Sequence, residues 1–139
     1  MLMDTLHFSV MTEEVLEYLA PKAESALLID CTLGEGGHSE RFLSTFPTLR
    51  VVGVDADEHI LEKAKHRLAP YSARFRSFNS WFNVFFREYP LGGERPDSIL
   101  FDLGISLYHY EEAVRGFTFR RDEPLDMRLN EDLEISAKD

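Results

Sequence analysis

Three acids in this sequence stand in one local setting. Asp30, Asp55 and Asp102 each close or nearly close a short apolar run, in residues 26–31, Arg50–Asp55 and residues 97–102. Carboxylates at the ends of parallel strands gather along one sheet edge, where ligand hydroxyls or amines can be held. The first acid leads into Asp30-Cys31-Thr32-Leu33-Gly34-Glu35-Gly36-Gly37-His38, directly ahead of a helical pattern. Glycines there let the backbone approach a ligand closely, and a helix start presents free N–H groups. Such a cluster taken alone is as often a plain turn. Asp55, 19 residues after Gly36, adds a carboxylate placed to accept both ribose hydroxyls of an adenosine group, so the spacing points to a nucleotide-like ligand. A G-x-G-x-x-G count from Gly34 puts the third glycine at Ser39, which disfavours a nicotinamide oxidoreductase. S-adenosylmethionine has no pyrophosphate to cradle and suits the pattern better, with the Gly34 to Gly37 turn for its methionine part and Asp55 for its ribose.

Asp102 is a candidate for orienting a weakly nucleophilic nucleobase amine, or for a cofactor contact; a carboxylate capping the next turn is a comparable reading. Trp81 or Phe82 offers a flat apolar face to an adenine, although helical spacing assigns most aromatics of that segment to the core. Only Phe82 is retained as a site candidate. The five histidines show no metal-ligand spacing, and no nucleophile stands near an identifiable base.

Elements that would position these residues alternate along the chain. Thr12 as N-cap, Glu13 and Glu14, and apolar Val15, Leu16, Leu19 and Ala20 predict a first helix ending at Pro21. Phe42, Leu43 and Phe46 mark the inner face of a second. Asp57 caps a third with Ile60, Leu61, Ala64 and Leu68 inward, and Ser80 caps a fourth carrying Trp81, Phe82, Val84, Phe85 and Tyr89. Strands are expected at residues 26–31, Arg50–Asp55, residues 74–78 and residues 97–102. This alternation predicts an α/β fold, a doubly wound, mainly parallel sheet of Rossmann-like type. From Leu103 the periodicity breaks down, and 134–139 resembles the start of a helix. The chain therefore reads as a fragment, cut after the fourth strand, with one sheet edge unpaired.

The 139 residues and 44% hydrophobic content suit one domain. No apolar run is long enough for a membrane span, and the single cysteine, Cys31, agrees with a reducing compartment, so a cytoplasmic location is expected. The net charge of −10 argues against a polyanionic partner. Against that, Arg115, Arg120, Arg121 and Arg128 cluster in one segment; they either meet substrate or pair with Glu111, Glu112, Asp122, Glu123 and Asp126.

Several blocks, in order, resemble the bacterial 16S ribosomal RNA cytosine-N4 methyltransferases. His7-Phe8-Ser9-Val10-Met11 is similar to that family's N-terminal block, Asp30 to Ser39 to its D-x-T-x-G-x-G-G-H-S loop, and Val52 to Asp57 to its ribose-binding strand end. Asp102-Leu103-Gly104-Ile105-Ser106 resembles D-L-G-V-S, Arg115-Gly116-Phe117-Thr118-Phe119 resembles R-G-F-S-F, and Pro124-Leu125-Asp126-Met127-Arg128 resembles P-L-D-M-R. The resemblance covers nearly all of this chain and about the first half of a family member. It implies a class I methyltransferase fold, S-adenosylmethionine as cofactor, and a partner in 16S ribosomal RNA or the small ribosomal subunit. Cofactor contacts carried over fall on Gly36, Gly37, His38, Asp55, Phe82, Asp102 and His109, the last replacing a family glutamine. Asp102 is the catalytic candidate, and Arg115, Arg120 and Arg128 are candidate substrate contacts. The expectation is methyl transfer to a cytidine N4 amine. Its rivals are a catalytically incompetent RNA-binding or regulatory fragment and, more remotely, the nicotinamide oxidoreductase.

Overall fold

A computed structural model describes residues 9–139. Four parallel strands, β1 (Leu27–Asp30), β2 (Arg50–Asp55), β3 (Phe75–Asn79) and β4 (Ser98–Leu100), form one sheet in the order β3-β2-β1-β4. In register, Asp30 lies beside Gly53 of β2 and Leu100 of β4, so the carboxyl ends of β2, β1 and β4 share one rim. The order reverses beside β1, and the crevice beyond such a reversal is where open α/β sheets bind ligands.

The strand side chains alternate between two cores. Leu28 and Val51 join Phe42 and Leu43 of α2 (Gly37–Thr45), Leu61 and Ala64 of α3 (Glu58–Arg67), and Leu16 of α1 (Thr12–Tyr18). On the other face, Leu27, Ile29, Val52 and Val54 pack on Phe85 of α4 (Phe82–Glu88). Helices on both faces explain why β1 is buried along its whole length rather than alternating. Each fully buried aliphatic side chain is worth about 1.5–3 kcal/mol relative to exposure, so the inward residues of α3 suffice to fix its orientation.

Asp57 caps α3 as expected, accepting from the His59 N–H at 2.9 Å. The other expected caps differ. Thr12 is the first residue of α1 rather than its cap, and its hydroxyl donates to the Ser9 carbonyl. Ser80 does not cap α4, which starts after an extended Trp81. Of the aromatics assigned to the core of α4, Phe85 is fully buried, whereas Trp81 and Tyr89 are half-buried. A short helix that the sequence did not announce, α5 (Leu107–Glu111), follows β4, and 134–139 forms turns instead of a helix. Among the described residues no helix is long and apolar enough to cross a membrane.

Candidate functional site

A cleft of about 360 Å³ opens at the carboxyl rim of β1, β2 and β4, within the size range of small-molecule sites. Its floor is the Cys31 to Glu35 loop with Gly37 and His38, one side is Asp55 and Ala56, and the other is Asp102 to Ser106. Trp81 and Phe82, at the start of α4, close one end.

The loop is shaped by packing under it. Gly53 sits in β2 where an added Cβ would lie 2.7 Å from both methyl carbons of Leu33, so the missing side chain lets Leu33 rest on the sheet. Gly36 has φ +81° as the residue before α2, a left-handed conformation that favours glycine, and its Cα faces Leu68 and Ala64 rather than the cleft. Gly37 does line the cleft, and a Cβ there would meet the Ser9 hydroxyl at 2.2 Å. Of the two glycines carried over as ligand contacts, the structure thus brings Gly37 to the cleft and places Gly36 behind it, as a turn and packing residue.

Asp55 accepts the Gly34 N–H at 2.8 Å on one oxygen and the Asp57 N–H at 3.0 Å on the other. Each oxygen keeps a lone pair for the cleft. Burial raises its pKa above the ordinary carboxylate value, opposed by those two N–H groups. Asp102 lies past the end of β4, with its backbone N–H donated to the Thr32 hydroxyl at 2.7 Å and its side chain 41% exposed at the cleft mouth. His38 is buried, donates from Nε2 to the Val10 carbonyl at 2.9 Å, and turns Nδ1 towards Asp102 at 3.9 Å. It thereby holds the Ser9-Val10-Met11 block against the cleft; His7 and Phe8 of that block lie outside the described residues. Phe82 is 37% exposed and meets Phe101 edge-on at 5.3 Å, leaving part of its ring to the cleft.

His109 also lines the cleft, but both of its nitrogens are engaged. The Ser106 N–H donates to Nδ1 at 3.1 Å, so Nε2 carries the hydrogen and donates it to Asp57 at 3.0 Å. The ring thus offers the cleft its surface, not a hydrogen bond. Asp57 is almost wholly buried and takes a second donor, the charged Arg115 Nη1, at 2.8 Å. Burial alone would raise its pKa; the hydrogen bonds from His109 and Arg115 outweigh burial and hold the carboxyl at about 2.

That pair corrects the placement of the arginines. Arg115 is only 6% exposed and spends Nη1 on Asp57 and on the Arg128 and Leu129 carbonyls, so it has no surface to offer a phosphate. Arg128 forks onto Asp126 at 2.8 Å and donates to the Glu131 and Leu133 carbonyls. Arg121 holds the Tyr110 and Glu111 carbonyls at the end of α5. Arg120 alone of the three substrate candidates stands exposed with its side chain uncommitted among the described contacts. The internal-pairing alternative raised by the composition therefore describes Arg128, on Asp126, and Arg121, which meets Glu123 at 3.1 Å, whereas Arg115 is paired with Asp57 and Glu131, which that alternative did not include.

One buried acid was read only as a strand end. Asp30 sits under the loop, accepts the Ser39 hydroxyl at 2.7 Å and the Thr32 N–H at 3.3 Å, and burial pushes its pKa up to about 6. Ser39, at the place where a dinucleotide loop needs its third glycine, is completely buried and fills that space with its hydroxyl contact. The close helix–strand packing that a third glycine gives such a loop is replaced there by a side-chain contact.

Taken as a donor set, the cleft fits an adenosyl sulfonium. Asp55 offers two free lone pairs for hydroxyls, Trp81 and Phe82 offer an apolar face, and the rim carries carboxylates rather than the cations a polyphosphate would need. No group of three or more metal-binding side chains occurs among the described residues.

Comparison with known proteins gives consistent matches. The model of the MraW methylase family matches residues 4–139. Ribosomal RNA small subunit methyltransferase H of Treponema denticola is 52% identical over 137 residues, covering 99% of this chain and 44% of that protein. The protein of the same name from Thermotoga neapolitana is 42% identical over 133 residues, covering 95% of this chain and 44% of its own length. This chain thus spans about half the length of the curated relatives it matches. Among solved structures, the C-terminal domain of precorrin-6Y C5,15-methyltransferase from Rhodobacter capsulatus superposes with a TM-score of 0.56 at 22% identity, over 70% of this chain and 50% of that one. That likeness bears on the fold alone and supports a Rossmann-like methyltransferase sheet.

Proposed function

Because this chain belongs to the MraW methylase family, we propose that it forms the cofactor-binding half of an S-adenosylmethionine-dependent methyltransferase that modifies the N4 amine of a cytidine in 16S ribosomal RNA. The observation that carries the reading is one cleft, at the point where strand order reverses, bounded by Asp55 on one side and Asp102 on the other over a glycine loop. The named relatives, ribosomal RNA small subunit methyltransferases, support the substrate class.

When bound, S-adenosylmethionine supplies an electrophilic methyl group on a sulfonium. The chain's own residues bind and orient. Asp55 accepts from ribose hydroxyls through the lone pairs its backbone partners leave free. Phe82 and Trp81 cover an adenine face, and the loop around Gly37 lets the backbone approach the amino-acid part. Asp102, at the solvent boundary, accepts from the nucleobase N–H and so aligns an amine whose lone pair is otherwise delocalised; it is also placed to receive the proton the amine sheds. Positioning of this kind supplies much of the acceleration in group transfer between two bound partners. Gly37, His38, Asp55, Phe82, Asp102 and His109 form the cleft in this reading, with His38 and His109 acting as supports and Gly36 as the turn behind it.

The substrate is tested by mass spectrometry of small-subunit RNA from cells lacking the full-length protein. One N4-methylated cytidine loses its base methyl in the expected outcome, whereas an unchanged modification pattern removes the substrate. An RNA-binding fragment without cofactor chemistry is separated by a thermal-shift assay, since it gains no protection from S-adenosylhomocysteine.

A further inference from the structure

Part of the cleft wall supplied by segment 103–129 is held by one buried carboxylate that follows β2. Asp57 lies two residues beyond Asp55, and its N–H bonds back to the Asp55 carboxylate at 3.0 Å. Its Oδ2 meets two donors from the distant segment 103–129. One is His109 Nε2 at 3.0 Å, and His109 is itself a wall residue of the cleft. The other is Arg115 Nη1 at 2.8 Å, and the same nitrogen donates to the Leu129 carbonyl at 3.0 Å, with Leu129 also in the wall. Both of these wall residues therefore hang on Asp57, one directly and one through Arg115.

No strand does this work. Segment 103–129 contains one five-residue helix and no β-ladder, so the sheet does not hold it in place. Other ties between this region and α3 are more exposed: Lys63 meets Glu112 and lies 4.4 Å over the Tyr108 ring, and His59 meets Glu131, just beyond the segment, at 3.5 Å. Exposed pairs contribute little, whereas charge-assisted hydrogen bonds to a buried carboxylate are strong and directional. The Ser106 N–H to His109 Nδ1 bond fixes the imidazole so that its hydrogen faces Asp57.

We propose that Asp57 is a positioning residue for the cleft: through His109 and Arg115 it fastens segment 103–129 as part of the wall beside Asp55, so that an adenosyl ligand is held only while this three-residue strut is intact. The ligand class rests on the function proposed above; the strut itself does not. Asp57, His109 and Arg115 need not touch a ligand to act in this way. They set the distance between the ribose-binding side and the wall that carries His109 and Leu129.

The test compares the full chain with Arg115→Met, His109→Leu and His109→Gln by amide hydrogen exchange without ligand and by calorimetric titration with S-adenosylhomocysteine. Arg115→Met and His109→Leu are expected to lose protection across 103–129 while β1 and β2 keep theirs, and to bind about tenfold or more weakly, as loss of a charged hydrogen bond implies. His109→Gln, whose amide can donate to Asp57 and accept from Ser106, is expected to restore both readouts. Wild-type protection of 103–129 in Arg115→Met and His109→Leu overturns the proposal. So does a loss of protection that spreads equally through β1 and β2, because the pair would then support the whole fold rather than one wall. If the unaltered chain shows no binding, the cofactor reading fails, while the exchange data still decide the strut.

Discussion

Asp55 carries the largest share of the binding argument, since it ends β2 at the cleft and keeps a lone pair to spare on each oxygen. Asp55→Ala is expected to weaken S-adenosylhomocysteine binding by ~1–3 kcal/mol through lost charge-assisted hydrogen bonds, which calorimetric titration measures directly. Unaltered affinity would move the ribose contact elsewhere. Two other buried acids give the fold opposite responses to pH. Asp30, raised by burial to about 6 in the folded chain, takes up a proton more readily folded than unfolded. Its contribution to stability is therefore full below about pH 4 and is lost as pH rises through 6, up to about 3 kcal/mol. Asp57, held at about 2 by His109 and Arg115 against its burial, does the reverse: it stabilises above about pH 4, and that stability disappears as pH falls through 2. Urea denaturation from pH 4 to 7 should show a falling slope in the natural chain that Asp30→Asn flattens. An identical slope in the variant would mean that Asp30 does not titrate in this window.

At the scale of elements, the loop after β1 depends on a gap in β2. Gly53→Ala would force its new methyl against Leu33, a residue of the cleft floor, because the ideal Cβ position lies 2.7 Å from it. Overpacking of this kind costs about 1–3 kcal/mol, so chemical denaturation should show lower stability and titration should show weaker cofactor binding together. A neutral result in both would mean that Leu33 moves freely. The elements themselves were legible where periodicity was strong. Arg50–Asp55 was placed to the residue, and Ile60, Leu61, Ala64 and Leu68 are all buried as the helical spacing of α3 required. Legibility failed where local pattern does not decide. β4 ends at Leu100 rather than Asp102, since an edge strand has a single partner to extend its ladder. α5 is too short for apolar periodicity to announce it. The cleft residues were found because strand ends and glycine turns leave a mark in sequence, whereas the Asp57 to Arg115 pair spans 58 positions and leaves none. A cluster of arginines looks the same in sequence whether it faces solvent or a buried acid.

Across the whole molecule, the net charge of −10 and the rim of Asp55 and Asp102 give the cleft an acidic character suited to a sulfonium cation and ill suited to a polyphosphate. The internal commitment of Arg115 and Arg128 leaves this part of the protein with little basic surface of its own near the cleft. The central claim is that the crevice between the Gly34 to Gly37 loop, Asp55 and Asp102 holds an adenosyl sulfonium, and amide NMR of the 139-residue chain during titration with S-adenosylmethionine tests it most directly, because weak binding still moves resonances. Saturable shifts should concentrate on Gly34, Glu35, Gly37, Asp55, Phe82 and Asp102. Saturable shifts that cluster elsewhere, or a spectrum unchanged at millimolar ligand, would contradict it.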